Sequence, residues 1–274
     1  MPVARTNGVE LFYESFGDPS APPLLLIMGL GAQLLGWDEG LCRQLVARGY
    51  HVIRFDNRDV GLSSRCVGRS PYTLDDMADD VAGLLDALAL PSAHIAGCSM
   101  GGMIAQLLAI RHPTRVRSLA SIMSTTGAPG VGWPRTDALW VLMTPSPTAR
   151  AAFIEHMLGV MRFIGSPAHP VDEVAARERI AKGFDRGHDP AGVARQARAV
   201  LAQRDRTEAL ATITVPTVVI HGEADLLVQH DGGVATARAI PGARFVSVPG
   251  MGHDLPAPLW PLLVDAIDDN ARRA

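Results

Sequence analysis

The sequence predicts an α/β fold built on a mostly parallel, doubly wound sheet, because short apolar segments alternate with longer segments of helical periodicity. Strands that are apolar throughout and separated by helices favour a parallel sheet covered on both faces. The strands are predicted at residues 24–28, 51–55, 94–96, 116–123, 217–220 and 244–248. The helices are predicted at residues 37–48, 74–90, 100–111, 230–239 and 259–272.

Two local signals mark where elements begin. Asn7 and Gly8 separate two short β-rich segments, and this dipeptide tolerates the positive φ angles of a tight turn, so an N-terminal hairpin is predicted. Thr73 and Asp76 have the spacing of a capping box, so a helix is expected to begin at Leu74.

One long segment breaks the alternation of strands and helices. Residues 127–211 contain no convincing strand, only helical patterns interrupted by prolines. We interpret this segment as a helical cap inserted into a core domain made of residues 1–126 and 212–274. Apolar side chains of the cap are predicted to line a substrate pocket, although each could instead pack the cap onto the core. These side chains are Trp133, Trp140, Met143, Phe153 and Met157.

Composition excludes several classes of partner. Lysine and arginine number 25 against 28 acidic residues, so there is no excess of positive charge for binding nucleic acid. The only lysine, Lys182, follows Ala181, which excludes a phosphate-binding loop of the Gly-x-x-x-x-Gly-Lys type. The patterns His-Glu-x-x-His and Cys-x-x-Cys are absent from the sequence, so neither a metal site nor any other cofactor is expected.

The cysteines and the apolar segments bear on location. Cys42, Cys66 and Cys98 are an odd number of cysteines in a chain too long to need disulfide bonds, which fits a reducing compartment. The most apolar segment, residues 24–35, is shorter than the ~20 residues that a membrane-spanning helix needs. We therefore expect a soluble, cytoplasmic protein without a transmembrane segment.

A glycine-rich segment follows the first predicted parallel strand. Met28-Gly29-Leu30-Gly31 begins like the dinucleotide-binding pattern Gly-x-Gly-x-x-Gly, but Leu34 stands where its third glycine should be. A dinucleotide cofactor is therefore not expected, and the two glycines need another role.

The run Gly97-Cys98-Ser99-Met100-Gly101 matches Gly-x-Ser-x-Gly between a predicted strand and a predicted helix. A serine on such a tight turn has a strained backbone, and the glycines remove side chains that would collide where strand and helix cross. Ser99 is therefore the candidate nucleophile. The alternative is that Ser99 caps the helix and that Gly101 and Gly102 form a close helix contact.

A nucleophilic serine needs a base and a carboxylate that orients this base. With this kind of nucleophile turn the chain order is serine, acid, histidine. His253 follows the last predicted strand and Asp225 follows the strand before it, so they are the candidate base and acid. Glu223 is the nearest rival acid and Asp231 another, whereas Asp254 is assigned to positioning the last helix.

Backbone amides are the expected donors to the oxyanion of a tetrahedral intermediate. One normally follows the nucleophile, which predicts Met100, and the other lies in the loop after an early strand, which predicts Leu30. Gly29 and Gly31 would then let the backbone bend so that the Leu30 amide faces the pocket.

With these motifs the chain resembles the α/β-hydrolase superfamily over nearly its whole length. More narrowly, residues 27–35 and 99–106 are similar to actinobacterial lipases and carboxylesterases of the LipG type, and more distantly to anthracycline methyl esterases. The resemblance is carried by residues 28–31, 56–63, 97–102, 221–225 and 252–253.

Two positions depart from the wider family pattern. Met28 replaces the usual histidine of the oxyanion loop, and Asp59 replaces a common glycine. The resemblance implies that Asp56 and Arg58 hold loops near the site and take no part in catalysis.

The motifs and the resemblance together favour a serine hydrolase that cleaves carboxylic esters through an acyl-enzyme. Alternatives on the same fold are a thioesterase, a lactonase, a methylesterase, a carbon–carbon bond hydrolase and a cofactor-free perhydrolase. A different class is a non-catalytic receptor that holds a small apolar ligand. The expected partner is a small-molecule ester, and the sequence specifies neither its acyl length nor the oligomeric state.

Overall fold

The computed structural model describes residues 2–68 and 70–274, which form one eight-stranded sheet. The strands are β1 (Val3–Thr6), β2 (Val9–Phe16), β3 (Pro23–Ile27), β4 (His51–Phe55), β5 (Ala93–Cys98), β6 (Val116–Ile122), β7 (Thr217–Gly222) and β8 (Arg244–Val248). Their order in the sheet is β1-β2-β4-β3-β5-β6-β7-β8. β2 runs antiparallel to both of its neighbours and all other neighbouring strands are parallel, so the predicted α/β fold is confirmed.

Helices connect the strands. They are α1 (Glu39–Ala47), α2 (Leu74–Ala87), α3 (Met100–Arg111), α4 (Leu139–Met143), α5 (Arg150–Ile164), α6 (Glu173–Gly187), α7 (Pro190–Leu201), α8 (Thr207–Leu210), α9 (His230–Ala239) and α10 (Trp260–Ala271). Helix α1 begins later than predicted, because the Asp38 side chain accepts a hydrogen bond from the Gly40 amide and caps it there. Among the described residues, no helix combines the length and the apolar character needed to cross a membrane.

Both local signals from the sequence are confirmed. Asn7 and Gly8 have φ angles of 44° and 73°, as the two-residue turn between β1 and β2 requires. The Thr73 hydroxyl accepts a hydrogen bond from the Asp76 amide, and the Asp76 carboxylate accepts one from the Thr73 amide. Helix α2 ends before the predicted boundary, because Ala89 takes a positive φ of 53°.

The sheet separates two hydrophobic cores. Successive side chains of a strand point to opposite faces. Leu25 and Ile27 of β3 therefore pack with residues of α2 and α3, whereas Leu24 and Leu26 pack with residues of α1 and α10. A strand buried on both faces must be apolar throughout, which explains the composition of β3.

The segment from residue 127 to residue 211 connects β6 to β7 and contains helices α4 to α8. All of its residues are described, and none of them is in a strand. Helix α5 packs along α6, and the short helix α8 returns the chain to the sheet by packing on α3 and α9.

Strand β5 and helix α3 cross at very short range. A Cβ atom on Gly97 would lie 2.1 Å from the Gly101 carbonyl oxygen, and a Cβ atom on Gly101 would lie 2.2 Å from the Ile27 carbonyl oxygen. Both neighbours are backbone atoms that cannot rotate away, so only glycine fits at these two positions.

We expect Gly101→Ala to lower the free energy of unfolding by about 3 kcal/mol or more, since the new methyl group collides with backbone. The matched control is Gly159→Ala in α5, where a Cβ atom would meet no neighbouring group within 4 Å. That substitution should raise stability by about 0.5–1 kcal/mol, because alanine favours the helix. Urea denaturation of both variants measures the difference, and equal effects would contradict the close crossing.

Candidate active site

Ser99 lies on the sharp turn between β5 and α3, with φ 56° and ψ −123°. A positive φ is costly for any residue with a Cβ atom and persists only where surrounding contacts enforce it. The Ser99 amide donates to the Ile122 carbonyl oxygen at 2.9 Å, and the Ser124 hydroxyl donates to the Ser99 carbonyl oxygen at 2.9 Å. The Ser99 side chain makes no capping hydrogen bond, so the alternative role as a helix cap is not what the structure shows.

The structure brings Ser99, His253 and Asp225 together. His253 Nε2 lies 3.0 Å from Ser99 Oγ, and His253 Nδ1 lies 2.7 Å from Asp225 Oδ2. A carboxylate only accepts hydrogen bonds, so Nδ1 carries the proton and Nε2 is left to accept from the hydroxyl. The Asp225 side chain is completely buried and that of His253 is 8% exposed, so little water competes for these bonds.

Asp225 is held as a carboxylate in spite of its burial. Burial by itself raises the pKa of this carboxyl group, but the adjacent imidazoles of His253 and His221 hold the pKa well below its usual value. The amides of Leu227 and Val228 each donate to Asp225 Oδ1 at 2.9 Å. These donors stabilise the negative charge and leave Oδ2 facing the imidazole of His253.

The two rival acids are engaged elsewhere. Glu223 accepts a hydrogen bond from the Ser247 hydroxyl at 2.7 Å, and Asp231 accepts one from the Gly132 amide at 3.1 Å. Of the three carboxylates considered after β7, Asp225 is the one that faces His253.

His221 is a neighbour of the acid that sequence reasoning missed. It lies in β7, fully buried, with Nε2 2.8 Å from the Val228 carbonyl oxygen and 3.5 Å from Asp225 Oδ2. A carbonyl oxygen only accepts, so the proton is on Nε2 and also points toward Asp225. The signal in the sequence was the position of His221 at the end of a strand, four residues before the acid.

The loop that carries His253 is fixed by the last residue of α5 and by the chain just after it. The His253 amide donates to the Ile164 carbonyl oxygen at 2.7 Å, and the Gly252 amide donates to Ser166 Oγ at 2.9 Å. Ser166 Oγ in turn donates to Asp254 at 2.5 Å. Burial raises the pKa of Asp254, against the opposing effect of the Ser166 hydrogen bonds. Asp254 therefore ties the histidine loop to the segment of residues 127–211, and its expected role in positioning the last helix stays a prediction.

The glycine-rich loop after β3 turns beside Ser99. The Ala32 amide donates to the Gly29 carbonyl oxygen at 3.3 Å, and Gly31, inside this turn, has φ 68°. A Cβ atom on Gly29 would lie 3.1 Å from Ser99 Cβ, so the backbone of this loop passes directly against the candidate nucleophile. Leu30 and Met100 therefore lie on two backbone segments that adjoin the Ser99 side chain.

Asp56 and Arg58 make contacts that hold loops. Asp56 Oδ1 accepts from the Leu34 amide at 2.8 Å, and Oδ2 accepts from the Leu62 amide at 3.0 Å and from Arg186 at 2.5 Å. Burial raises the pKa of Asp56, and these donors oppose the rise. Arg58 forms two hydrogen bonds of 2.6 Å with Asp80.

The five predicted pocket residues are in different surroundings. Trp133 and Met143 are 62% and 77% exposed. Trp140 packs against the Phe163 ring at a centroid distance of 5.7 Å, and Phe153 packs against the Phe184 ring at 5.4 Å. Met157 is partly buried in α5. Their role in binding stays a prediction.

In residues 2–68 and 70–274, no group of three or more His, Cys, Asp or Glu side chains is placed to hold a metal ion. The site described above consists of a hydroxyl, an imidazole, a carboxylate and backbone amides. These groups are sufficient for acyl transfer through a covalent intermediate.

The chain is similar to known esterases and lactonases over most of its length. Rhodomycin D methylesterase DnrP from Streptomyces peucetius is 31% identical in an alignment that covers 99% of this chain and 98% of that protein. 3-Oxoadipate enol-lactonase 2 from Acinetobacter baylyi is 31% identical over 79% of this chain and 76% of its own length. The crystal structure of the enol-lactonase from Burkholderia xenovorans LB400 superposes with a TM-score of 0.80 at 27% identity, covering 99% of this chain and 100% of that one.

The family model described as the alpha/beta hydrolase fold matches residues 22–256, which include β3, the Ser99 turn and the histidine loop. The chain therefore belongs to the α/β-hydrolase fold family.

Proposed function

We propose that this protein is a carboxylic ester hydrolase that works through an acyl-enzyme formed on Ser99. The observation that carries the proposal is the unbroken line of hydrogen bonds from Asp225 through His253 to Ser99, with distances of 2.7 and 3.0 Å. The relatives named as esterases and lactonases support the same chemistry.

In the first step, Ser99 Oγ attacks the carbonyl carbon of the ester while His253 Nε2 takes the hydroxyl proton. The imidazole becomes positively charged, and the adjacent Asp225 carboxylate stabilises this charge. His253 then gives the proton to the departing alcohol, which leaves the acyl group on Ser99. A water molecule, activated by His253 in the same way, hydrolyses the acyl-enzyme.

The amides of Leu30 and Met100 are the proposed donors to the oxyanion. Met100 is the first residue of α3, and the first amides of a helix have no acceptor within that helix. In the described chain, the backbone hydrogen bonds of turns and loops include none in which the Leu30 or the Met100 amide is the donor. Two amides beside the nucleophile favour the tetrahedral intermediate over the planar ester.

The inserted segment is proposed to act as a cap over a core of residues 1–126 and 212–274. Support comes from topology: β6 and β7, which the segment connects, are parallel neighbours, and β6 is a parallel neighbour of β5. Their carboxyl ends therefore share the edge of the sheet at which Ser99 and Asp225 lie. Residues of the segment proposed to contact substrate are Trp133, Trp140, Met143, Phe153 and Met157.

A methyl ester of a small molecule is the first substrate class to test, because two rhodomycin D methylesterases match nearly the whole chain. A lactone is the second, favoured by the enol-lactonase relative and the enol-lactonase structure.

Ser99→Ala should lower kcat by about 10⁶-fold, because the alcohol that forms the acyl-enzyme is removed. Initial rates with p-nitrophenyl acetate measure the change, and the melting temperature shows whether the variant is folded. Ser92→Ala, which changes a serine just before β5, is the matched control and should keep full activity. Turnover above about 1% in Ser99→Ala would contradict the mechanism.

Asp225→Asn should lower kcat by about 10⁴-fold, since an amide in place of the carboxylate favours the wrong tautomer of His253. Glu223→Gln, which removes the same charge two residues earlier, should change kcat by less than about threefold because surface changes rarely reach the site. Steady-state kinetics of both variants compare the two carboxylates. Similar losses in both would show that Asp225 is not the acid.

A series of p-nitrophenyl esters from acetate to palmitate, together with methyl benzoate and γ-butyrolactone, should distinguish the substrate classes. Each methylene that fits the pocket contributes about 1–3 kcal/mol to discrimination, so kcat/KM should peak at one acyl length and fall on both sides. If the protein hydrolyses none of these compounds, the proposed esterase activity is wrong.

A further inference from the structure

The turn that presents the Leu30 amide is held from outside by the inserted segment. The Gly31 amide donates to Gln196 Oε1 at 2.8 Å, and Gln196 Nε2 donates to the Arg58 carbonyl oxygen at 2.7 Å. Gln196 lies on α7 and is completely buried. Its amide therefore bridges two loops of the sheet edge and uses both a donor and the acceptor in doing so.

These contacts determine which way the backbone amides of the turn point. In a trans peptide the carbonyl and the N–H point in opposite directions. The Gly29 carbonyl oxygen accepts from Ala32 inside the turn, so the N–H of the same peptide unit, which belongs to Leu30, points out of it. The next peptide unit has its Gly31 N–H on Gln196. If the peptide unit between Leu30 and Gly31 rotated by half a turn, the Leu30 carbonyl oxygen would face Gln196 Oε1. Two acceptors placed face to face repel each other.

Close packing leaves the turn little room to shift. A Cβ atom on Gly31 would lie 3.1 Å from Val193, which precedes Gln196 by about one turn of α7. A Cβ atom on Gly192 would lie 2.3 Å from the Asp59 carbonyl oxygen. Arg195 adds hydrogen bonds of 2.9 and 2.7 Å to the buried Asp59 carboxylate. Helix α7 is therefore held against the loops after β3 and β4, which are the two loops that Gln196 connects.

We propose that Gln196 is a positioning residue for the oxyanion site, acting through its hydrogen bond to Gly31 to aim the Leu30 amide beside Ser99. This inference rests on the proposed function, because it assumes that an oxyanion forms next to Ser99. A donor fixed before reaction stabilises the oxyanion without reorganisation, whereas a donor on a loose turn does not. The inserted segment then contributes to the chemical step from outside the pocket.

Two variants separate the hydrogen bonds of Gln196. Gln196→Met keeps the length of the side chain and removes both bonds, whereas Gln196→Glu keeps an oxygen that accepts from Gly31 and loses the donor to Arg58. The matched control is Gln106→Met, because Gln106 is equally buried and bonds to Ser121 and Arg206, away from the turn. It controls for the general cost of losing a buried amide.

We expect Gln196→Met to lower kcat on the best p-nitrophenyl ester by about 10- to 100-fold with KM changed less than about threefold, because part of one oxyanion donor is lost. Gln196→Glu should lower kcat as well, because its carboxylate puts an acceptor opposite the Arg58 carbonyl oxygen and a negative charge near the oxyanion. Gln106→Met should stay within about threefold of the parent kcat at a similar loss of melting temperature. If Gln196→Met does not fold, the kcat of Gln196→Glu decides: a kcat within about threefold of the parent in that folded variant overturns the proposal.

A trifluoromethyl ketone provides a second readout. Ser99 Oγ adds to its carbonyl carbon, the proton passes to His253 and the carbonyl oxygen becomes an oxyanion. The inhibition constant should rise by about 10-fold or more in Gln196→Met and stay within about threefold in Gln106→Met.

If Ser99→Ala is inactive and Gln196→Met and Gln106→Met have equal kinetic effects, the positioning role is wrong and the proposed function stands. Turnover by Ser99→Ala would instead overturn the proposed function, and this inference with it.

Discussion

The hydrogen bond between His253 Nδ1 and Asp225 Oδ2 is the interaction on which the rest of the site depends. It fixes the tautomer of the imidazole, and therefore leaves Nε2 as the acceptor for the Ser99 hydroxyl. A carboxylate as deeply buried as Asp225 is stable only because two backbone amides and two imidazoles surround it. The cost of burying this charge is thus offset by the same groups that orient the base.

The remaining geometry follows from a parallel sheet and from the segment inserted into it. Parallel strands end at one edge, so the loops after β5, β7 and β8 bring the serine, the acid and the histidine together from distant parts of the chain. The inserted segment holds this edge at two places. Ser166 and Ile164 fix the histidine loop, and Gln196 fixes the glycine-rich turn. Residues 127–211 therefore contact both the histidine loop and the glycine-rich turn, which supports their proposed role as a cap and the proposed positioning role of Gln196.

Much of this arrangement could be predicted from the sequence, and the rest could not for identifiable reasons. The apolar segments of the strands and the Gly-x-Ser-x-Gly turn are local patterns, and the structure has the predicted elements within a few residues of their predicted bounds. The acid and the histidine follow from their positions after the last two predicted strands. The contacts of Ser166 with Asp254 and of Gln196 with Gly31 join residues 88 and 165 positions apart, so they depend on how helices pack on the sheet. No periodicity in the sequence encodes that packing. The same limit applies to Trp133, which is predicted to line a substrate pocket or to pack the cap onto the core and is 62% exposed.

Labelling with diethyl p-nitrophenyl phosphate tests the central claim most directly. Attack by Ser99 Oγ on phosphorus forms a new P–O bond and releases p-nitrophenolate, and peptide mass spectrometry locates the diethylphosphoryl group. We expect one diethylphosphoryl group per chain, attached to Ser99, with activity lost in proportion to the nitrophenolate released. Loss of activity with the label on another residue, or full activity after complete labelling of Ser99, would contradict it.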